Sequence, residues 1–151
     1  MRVAAFLVAN LASLMLGYQV GVHGIKWPNL IDVIDVEDGP PVPGDGLHLL
    51  VIYETDDRVS MPAGQRSIID SVPVRQWLRE KGFVDENHKS TARFFDPQTE
   101  LVEEDQWFRD ALALKTESLP WMIVSNGKSG FSGPLPKTIE EFKAVVGRFA
   151  K

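Results

Sequence analysis

The residues best suited to chemistry form one short stretch, Glu54-Thr-Asp-Asp57, with Arg58 and Ser60 directly after it. Three carboxylates, a guanidinium and a hydroxyl so close together could hold a cation or activate a nucleophile. One hypothesis is therefore an enzyme with a non-thiol site built from Glu54, Asp56, Arg58 and Ser60. The alternative is a solvated loop whose charges pair at the surface.

Other chemistry finds less support in the sequence. A nucleophilic Ser60 needs a base within hydrogen-bond reach, and no sequence feature brings His23, His48 or His88 to it. The acidic stretch lacks the spacing of a calcium-binding EF-hand loop, so we predict no metal site. The run Gly127-Lys-Ser-Gly130 lacks the spacing of a phosphate-binding loop. We therefore predict no cofactor.

Composition narrows the class of protein. The chain has 151 residues, 44% of them hydrophobic and 25% charged, which suits one folded domain with an additional segment. A net charge of −5 argues against binding nucleic acid through its phosphates. The chain contains no cysteine, which excludes disulfides, thiolate catalysis and cysteine-ligated metal.

The N-terminal segment 1–23 is hydrophobic, and residues 3–22 carry no charge. As a helix, twenty residues rising ~1.5 Å each would reach across the core of a bilayer. Three interpretations stay open: an uncleaved signal anchor, a cleaved signal peptide, or an apolar helix that packs against protein. We expect a protein that is membrane-anchored with its domain outside the cytoplasm, or secreted.

Residues 24–46 have the composition of an acidic linker that is rich in proline and glycine. Gly39-Pro-Pro-Val-Pro-Gly-Asp-Gly46 concentrates residues that break helices and strands, and this pattern predicts a semi-rigid spacer. We therefore expect the folded domain to cover residues 47–151.

The first part of that domain alternates between strand and helix patterns. Leu47–Tyr53 is an apolar run, which predicts a strand buried on both faces. Helices are predicted at Ala63–Asp70 and from a Ser71 cap onward. Thr91–Phe95 has the composition of a second strand. Glu103–Asp105 is expected in the first turn of a third helix, where acids favour the helix dipole.

The stretch from Ser118 to Phe142 predicts a strand, a hairpin, a second strand and a terminal helix. The apolar run Trp121–Val124 follows a proline, and Asn126-Gly127 suits a type I′ turn, which needs positive φ at both central residues. Thr138 and Glu141 have the spacing of a capping box at a helix start. The overall order is β-α-β-α-β-β-α.

This order resembles the thioredoxin fold, and the likeness is carried by specific residues. These are Pro120 before the Trp-Met-Ile-Val strand, the Ser-Asn-Gly turn, and Gly133-Pro-Leu-Pro-Lys137 leading into the last helix. The resemblance covers about residues 47–150 and implies a cis bond between Leu119 and Pro120. The stretch Leu-Pro-Trp through Ser-Asn-Gly also looks like uncharacterised bacterial and phage proteins.

The resemblance also locates a redox-equivalent loop, Ser60, Met61, Pro62 and Ala63, between the first strand and the first helix. Serine and alanine stand where thioredoxins carry cysteines, so thiol–disulfide exchange is excluded. In thioredoxins the cis-proline edge contacts extended peptides. The candidate peptide edge here is Leu119, Pro120 and Trp121, although Trp121 could equally pack in the core.

The sequence therefore predicts a non-catalytic, membrane-tethered or exported thioredoxin-like module that binds a protein or peptide. The alternatives are the non-thiol enzyme described above and a structural component of a phage or envelope assembly. In that last case the N-terminal helix would pack against protein.

Overall fold

The computed structural model describes residues 39–100 and 103–150, which form a mixed α/β arrangement of four strands and four helices. The strands are β1 His48–Ile52, β2 Ala92–Phe95, β3 Trp121–Ser125 and β4 Gly130–Pro134. The helices are α1 Ala63–Asp70, α2 Val72–Glu80, α3 Gln106–Leu112 and α4 Ile139–Gly147, and Asp56–Val59 forms a 3₁₀ turn.

The expectations for the N-terminal hydrophobic segment 1–23 and for residues 24–38 lie outside the described residues. Among the helices of residues 39–100 and 103–150, none combines the length and the apolar content needed to cross a bilayer.

The four strands form one sheet in the order β2-β1-β3-β4. β1 and β2 are parallel, whereas β3 is antiparallel to both β1 and β4. In this register Ile52 lies opposite Trp121, and Trp121 lies opposite Pro134. The end of β1, the start of β3 and the end of β4 therefore share one end of the sheet.

The central strand β1 is buried on both faces, as its apolar run predicts. Side chains alternate across a strand, so Leu49 and Val51 lie on one face while Leu50 and Ile52 lie on the other. The first face packs against α1, α2 and α4, whose core residues are Ile68, Ile69, Val74, Leu78, Phe142, Val145 and Val146. The second face packs against Phe108 and Ala111 of α3.

Ser71 divides the region after β1 into two helices. Its backbone is extended (φ −71°, ψ 114°), which ends α1 at Asp70 as predicted. Its hydroxyl then accepts a hydrogen bond from the Val74 N–H at 3.2 Å and caps α2.

The prediction that Glu103–Asp105 occupies the first turn of a helix is wrong. Asp105 is extended (ψ 151°), so α3 begins one residue later, at Gln106. Two of the three acids, Glu104 and Asp105, pair with cations near β2 instead of with the helix N-terminus. Arg93 donates to Glu104 at 2.8 Å, and Lys89 lies 3.5 Å from Asp105.

The β3–β4 hairpin differs from the expected type I′ turn over Asn126 and Gly127. Gly127 has a positive φ of 79°, but Asn126 does not. The Asn126 carboxamide oxygen accepts the N–H groups of Lys128 at 3.0 Å and Ser129 at 2.9 Å. This side-chain bonding places Asn126 before the turn, and Gly127 and Lys128 become its central pair.

Thr138 caps α4 as predicted, but the return bond from Glu141 goes to the residue before the cap and not to Thr138 itself. The Thr138 hydroxyl accepts the Glu141 N–H at 3.1 Å. The Glu141 carboxylate reaches back to the N–H of Lys137, also at 3.1 Å. Two N–H groups at the helix start are satisfied in this way.

Residues 39–46, which the sequence places in the linker, pack on the sheet. Val42 is only 1% exposed and joins the core face that α3 covers. Its carbonyl accepts a hydrogen bond from the Ser125 hydroxyl at 3.1 Å. The folded part of the chain therefore extends upstream of the boundary expected at Leu47, because one apolar side chain inside the proline-rich stretch is buried.

Candidate functional site

A cleft of about 270 Å³ lies at the end of the sheet where β1 ends and β3 begins. One wall is the loop after β1, which contributes Glu54, Asp57, Ser60, Met61 and Pro62. The other is the segment before β3, with Ser118, Leu119 and Pro120. Gln65 of α1 and Pro134 of β4 complete it. Two segments far apart in sequence meet here because β1 and β3 are neighbours in the sheet.

The loop after β1 is anchored to the end of β2. The Asp96 carboxylate accepts the Thr55 hydroxyl, the Thr55 N–H at 3.1 Å and the Gln98 N–H at 2.9 Å. These bonds, chiefly the one from the Thr55 hydroxyl, lower the pKa of Asp96 because they stabilise its ionised form. Glu54 adjoins this anchor and is thereby held at the cleft.

The turn that carries Ser60 is closed by a single carbonyl group. The Asp57 carbonyl accepts the N–H groups of Ser60 at 3.0 Å and Met61 at 3.1 Å. It also accepts the Ser60 hydroxyl at 2.7 Å. That hydroxyl proton is therefore engaged with the backbone. Ser60, Met61 and Pro62 all line the cleft, whereas Ala63 begins α1 and does not.

Gln65 is a cleft residue that the sequence did not single out. It is 7% exposed, and its Nε2 donates to the Leu135 carbonyl at 2.6 Å. Its Oε1 accepts no hydrogen bond from the described residues and is not enclosed in the core. The sequence carried one signal that could have identified it. Gln65 repeats with Ile68 and Ile69 at helical spacing, which places a polar residue on the inward face of α1.

The segment before β3 leaves backbone groups available. The bond between Leu119 and Pro120 is cis, and the Pro120 carbonyl accepts the Leu135 N–H at 3.0 Å. The N–H and C=O groups of Leu119, by contrast, make no hydrogen bond to any residue of the described ranges. Backbone groups at a cleft wall are available to pair with another chain.

Trp121 lies in the core and not on the cleft. It is 6% exposed and packs on the face that α3 covers, and its Nε1 donates to the Ser132 hydroxyl at 3.0 Å. Of the candidate peptide edge, Leu119 and Pro120 reach the cleft and Trp121 does not. The cause is strand alternation, which turns the first side chain of β3 toward α3.

The residues of the non-thiol enzyme hypothesis separate into two groups. Glu54 and Ser60 line the cleft, whereas Asp56 accepts a hydrogen bond from Gln98 at 3.2 Å and Arg58 pairs with Asp70. The hydrogen bond and the charge of Asp70 raise the pKa of Arg58 above its ordinary value. Asp56 and Arg58 are thus directed to partners outside the cleft.

The described residues show no sign of an ion-binding centre. No group of three or more histidine or acidic side chains within residues 39–100 and 103–150 is arranged to hold a metal ion. Neither of the described histidines, His48 and His88, lines the cleft, so no imidazole base adjoins Ser60 there. What the cleft offers is hydrogen-bond acceptors, free backbone and an apolar floor.

Comparison of the chain with protein-family models, with curated proteins and with solved structures gives no match.

Proposed function

We propose that this chain is a non-catalytic, thioredoxin-like binding module, membrane-tethered or exported, that holds an extended peptide in the cleft beside Leu119 and Pro120. Ser60, Met61 and Pro62 of the redox-equivalent loop form the facing wall and provide contact surface rather than thiol chemistry. The tether or export signal is proposed from the uncharged residues 3–22 alone.

The observation that carries the proposal is the meeting of two distant segments in one cleft. Ser60, Met61 and Pro62 lie across from Leu119 and Pro120, which is the juxtaposition that the resemblance to thioredoxins implies. The succession of strands and helices supports the same arrangement.

Backbone chemistry favours a peptide as the ligand. A peptide lying along the segment before β3 can exchange hydrogen bonds with the unpaired N–H and C=O of Leu119. Such bonds give affinity with little dependence on sequence, and side-chain contacts with Met61, Pro62 and Pro134 add apolar surface. A volume of about 270 Å³ is small for a cofactor but suits a short peptide segment.

The alternatives are less well supported. The enzyme hypothesis loses two of its four residues, since Asp56 and Arg58 bond outside the cleft. The hypothesis of a structural component in a phage or envelope assembly depends on residues 1–23, and it remains a hypothesis.

The proposal predicts that filling the cleft weakens peptide binding. The full chain is screened against a displayed library of random decapeptides, and enriched peptides are synthesised and titrated by calorimetry. Ser118→Trp places an indole at the cleft wall, because Ser118 is exposed and lines the cleft. We expect at least about a tenfold loss of affinity, the effect of one blocked contact region.

Ser67→Trp is the matched control. Ser67 is an exposed serine of α1 that does not line the cleft, and the same substitution there should leave affinity unchanged. If the library yields no binder, or if the enriched peptides bind Ser118→Trp as tightly as the parent, the proposal is wrong.

A further inference from the structure

The ionisable groups that line the cleft are both acids. Glu54 and Asp57 are the charged residues of its wall, and no lysine or arginine among the described residues lines it. Neither carboxylate forms an ion pair or accepts a hydrogen bond within residues 39–100 and 103–150. Two unneutralised carboxylates beside one cavity give it a negative potential.

The nearest cations along the chain are engaged elsewhere. Arg58 pairs with Asp70, and Arg66 donates to the carbonyl oxygens of Arg58 at 3.4 Å and Val59 at 3.1 Å. Both guanidinium groups are engaged in these bonds, and neither arginine lines the cleft. The carboxylates of Glu54 and Asp57 therefore keep their charge available to a ligand.

A third acceptor is built into the cleft from the core side. Gln65 is 7% exposed, and its Nε2 is committed to the Leu135 carbonyl at 2.6 Å. That bond fixes the orientation of the carboxamide, so Oε1 is the atom left without a partner at the cleft. Oε1 is accessible and has no donor among the described residues, so it can accept an N–H group from a ligand.

The ligand that satisfies these features carries a positive charge and several N–H donors. Lysine offers three donors and arginine five, and neither accepts hydrogen bonds. A bare metal ion fits less well, because the described residues include no cluster of three metal-ligating side chains. A peptide paired with the Leu119 backbone would lie at the same cleft as both carboxylates, because Leu119, Glu54 and Asp57 all line it.

Resting on the peptide-binding function proposed above, we infer that the cleft selects an extended peptide with a lysine or arginine, whose cationic group lies between Glu54, Asp57 and Gln65. The peptide backbone pairs with Leu119, and the cationic side chain supplies the specificity.

The experiment uses the full chain and the decapeptides enriched from the random library. We expect a lysine or arginine at one fixed position of the enriched peptides. Replacing that lysine by norleucine, or that arginine by citrulline, should weaken binding about fivefold, the effect of losing one solvent-accessible ion pair. Sodium chloride should weaken the parent complex as well, because salt screens such charges.

Variants of the protein identify the acids responsible. Glu54→Gln combined with Asp57→Asn should weaken binding of the cationic peptide by about fivefold or more and make binding insensitive to the norleucine or citrulline replacement. Glu86→Gln is the matched control, since Glu86 is an exposed acid outside the cleft that forms no ion pair with the described residues. Thermal unfolding of each variant confirms that it is folded.

The possible results separate the two proposals. Enriched peptides that bind with no cationic residue, or that bind the double variant as tightly as the parent, overturn the charge selection and leave peptide binding intact. A library that yields no binder overturns both. Loss of affinity in Glu86→Gln equal to that in the double variant would show a general charge effect and would also overturn the selection.

Discussion

His48 on β1 is half-buried, and only one of its two ring nitrogens forms a hydrogen bond with the described residues. Its ring stacks on Trp107 with 4.6 Å between centroids, and Nε2 donates to the Asp45 carbonyl at 3.2 Å. That bond puts the ring proton on Nε2, so Nδ1 is a bare acceptor, buried with no partner among the described residues. The site suits the neutral ring, because a proton on Nδ1 would find no acceptor.

Burial lowers the pKa of His48, although the hydrogen bond to Asp45 and the charge of Asp105 oppose the shift. The unfolded chain therefore takes up a proton near pH 6.5 that the folded chain does not. Stability is then complete above pH 6.5 and declines as the pH falls toward the lowered pKa. We expect the urea unfolding midpoint of the parent to decrease between pH 8 and pH 5.5.

His48→Phe keeps a ring for stacking on Trp107 and removes the titration. Its unfolding midpoint should change less over the same pH interval, in which most carboxylates stay ionised. Equal pH dependence in the parent and in His48→Phe would contradict the assignment of the effect to this imidazole.

At the scale of elements, α1 is positioned by close contact between its first turn and the connection that joins β4 to α4. Gly64, in the first turn of α1, leaves no room for a side chain, because a Cβ there would lie 1.9 Å from the Lys137 carbonyl oxygen. Gln65, the next residue, donates to the Leu135 carbonyl in the same connection. The contact therefore also orients the Gln65 carboxamide at the cleft.

Gly64→Ala should destabilise the protein by about 3 kcal/mol, as measured from urea unfolding followed by circular dichroism. The obstacle is backbone, which cannot rotate away as a flexible side chain can, so α1 or the connection must shift.

Gly147→Ala is the matched control in α4, where an added Cβ meets nothing within 4 Å. Alanine is the better helix former, so this variant should be unchanged or more stable by up to about 1 kcal/mol. Similar unfolding free energies for the two variants would contradict the close approach.

At the scale of the whole molecule, residues 39–46 act as a strap over the face that α3 covers. Val42 is buried, and a Cβ on Gly130 would lie 2.2 Å from the Pro41 ring. The Ser125 hydroxyl holds the strap by its bond to the Val42 carbonyl. The strap, β3 and β4 therefore form one packed unit, and the cleft lies at the opposite end of β3.

Val42→Ala should lower the free energy of unfolding by about 2 kcal/mol, because two buried methyl groups are lost and a cavity remains. Val72→Ala is the control, since Val72 is 72% exposed and its truncation should change stability by no more than about 0.5 kcal/mol. If both variants unfold alike, the strap contributes nothing to the core.

Much of the fold followed from local patterns. The bounds of α1, the caps at Ser71 and Thr138 and the double-sided burial of β1 depend on residues close in sequence, so the sequence could determine them. The absence of cysteine excludes thiol chemistry whatever the fold. The start of α3 could not be predicted from neighbouring residues alone. Arg93 and Lys89 are distant from it in sequence, and they form ion pairs with the acids that would otherwise favour its first turn.

The site depended on the tertiary structure. The resemblance to thioredoxins implies that the segments of Ser60 and Leu119 face each other, but the β1–β3 pairing is what brings them to one cleft. The same pairing turned Trp121 into the core and left Gln65 at the cavity. Which side chain faces a cleft is decided by strand register and helix approach, which are long-range properties. The sequence alone thus determined which elements form and which chemistry is excluded, and packing decided which residues meet.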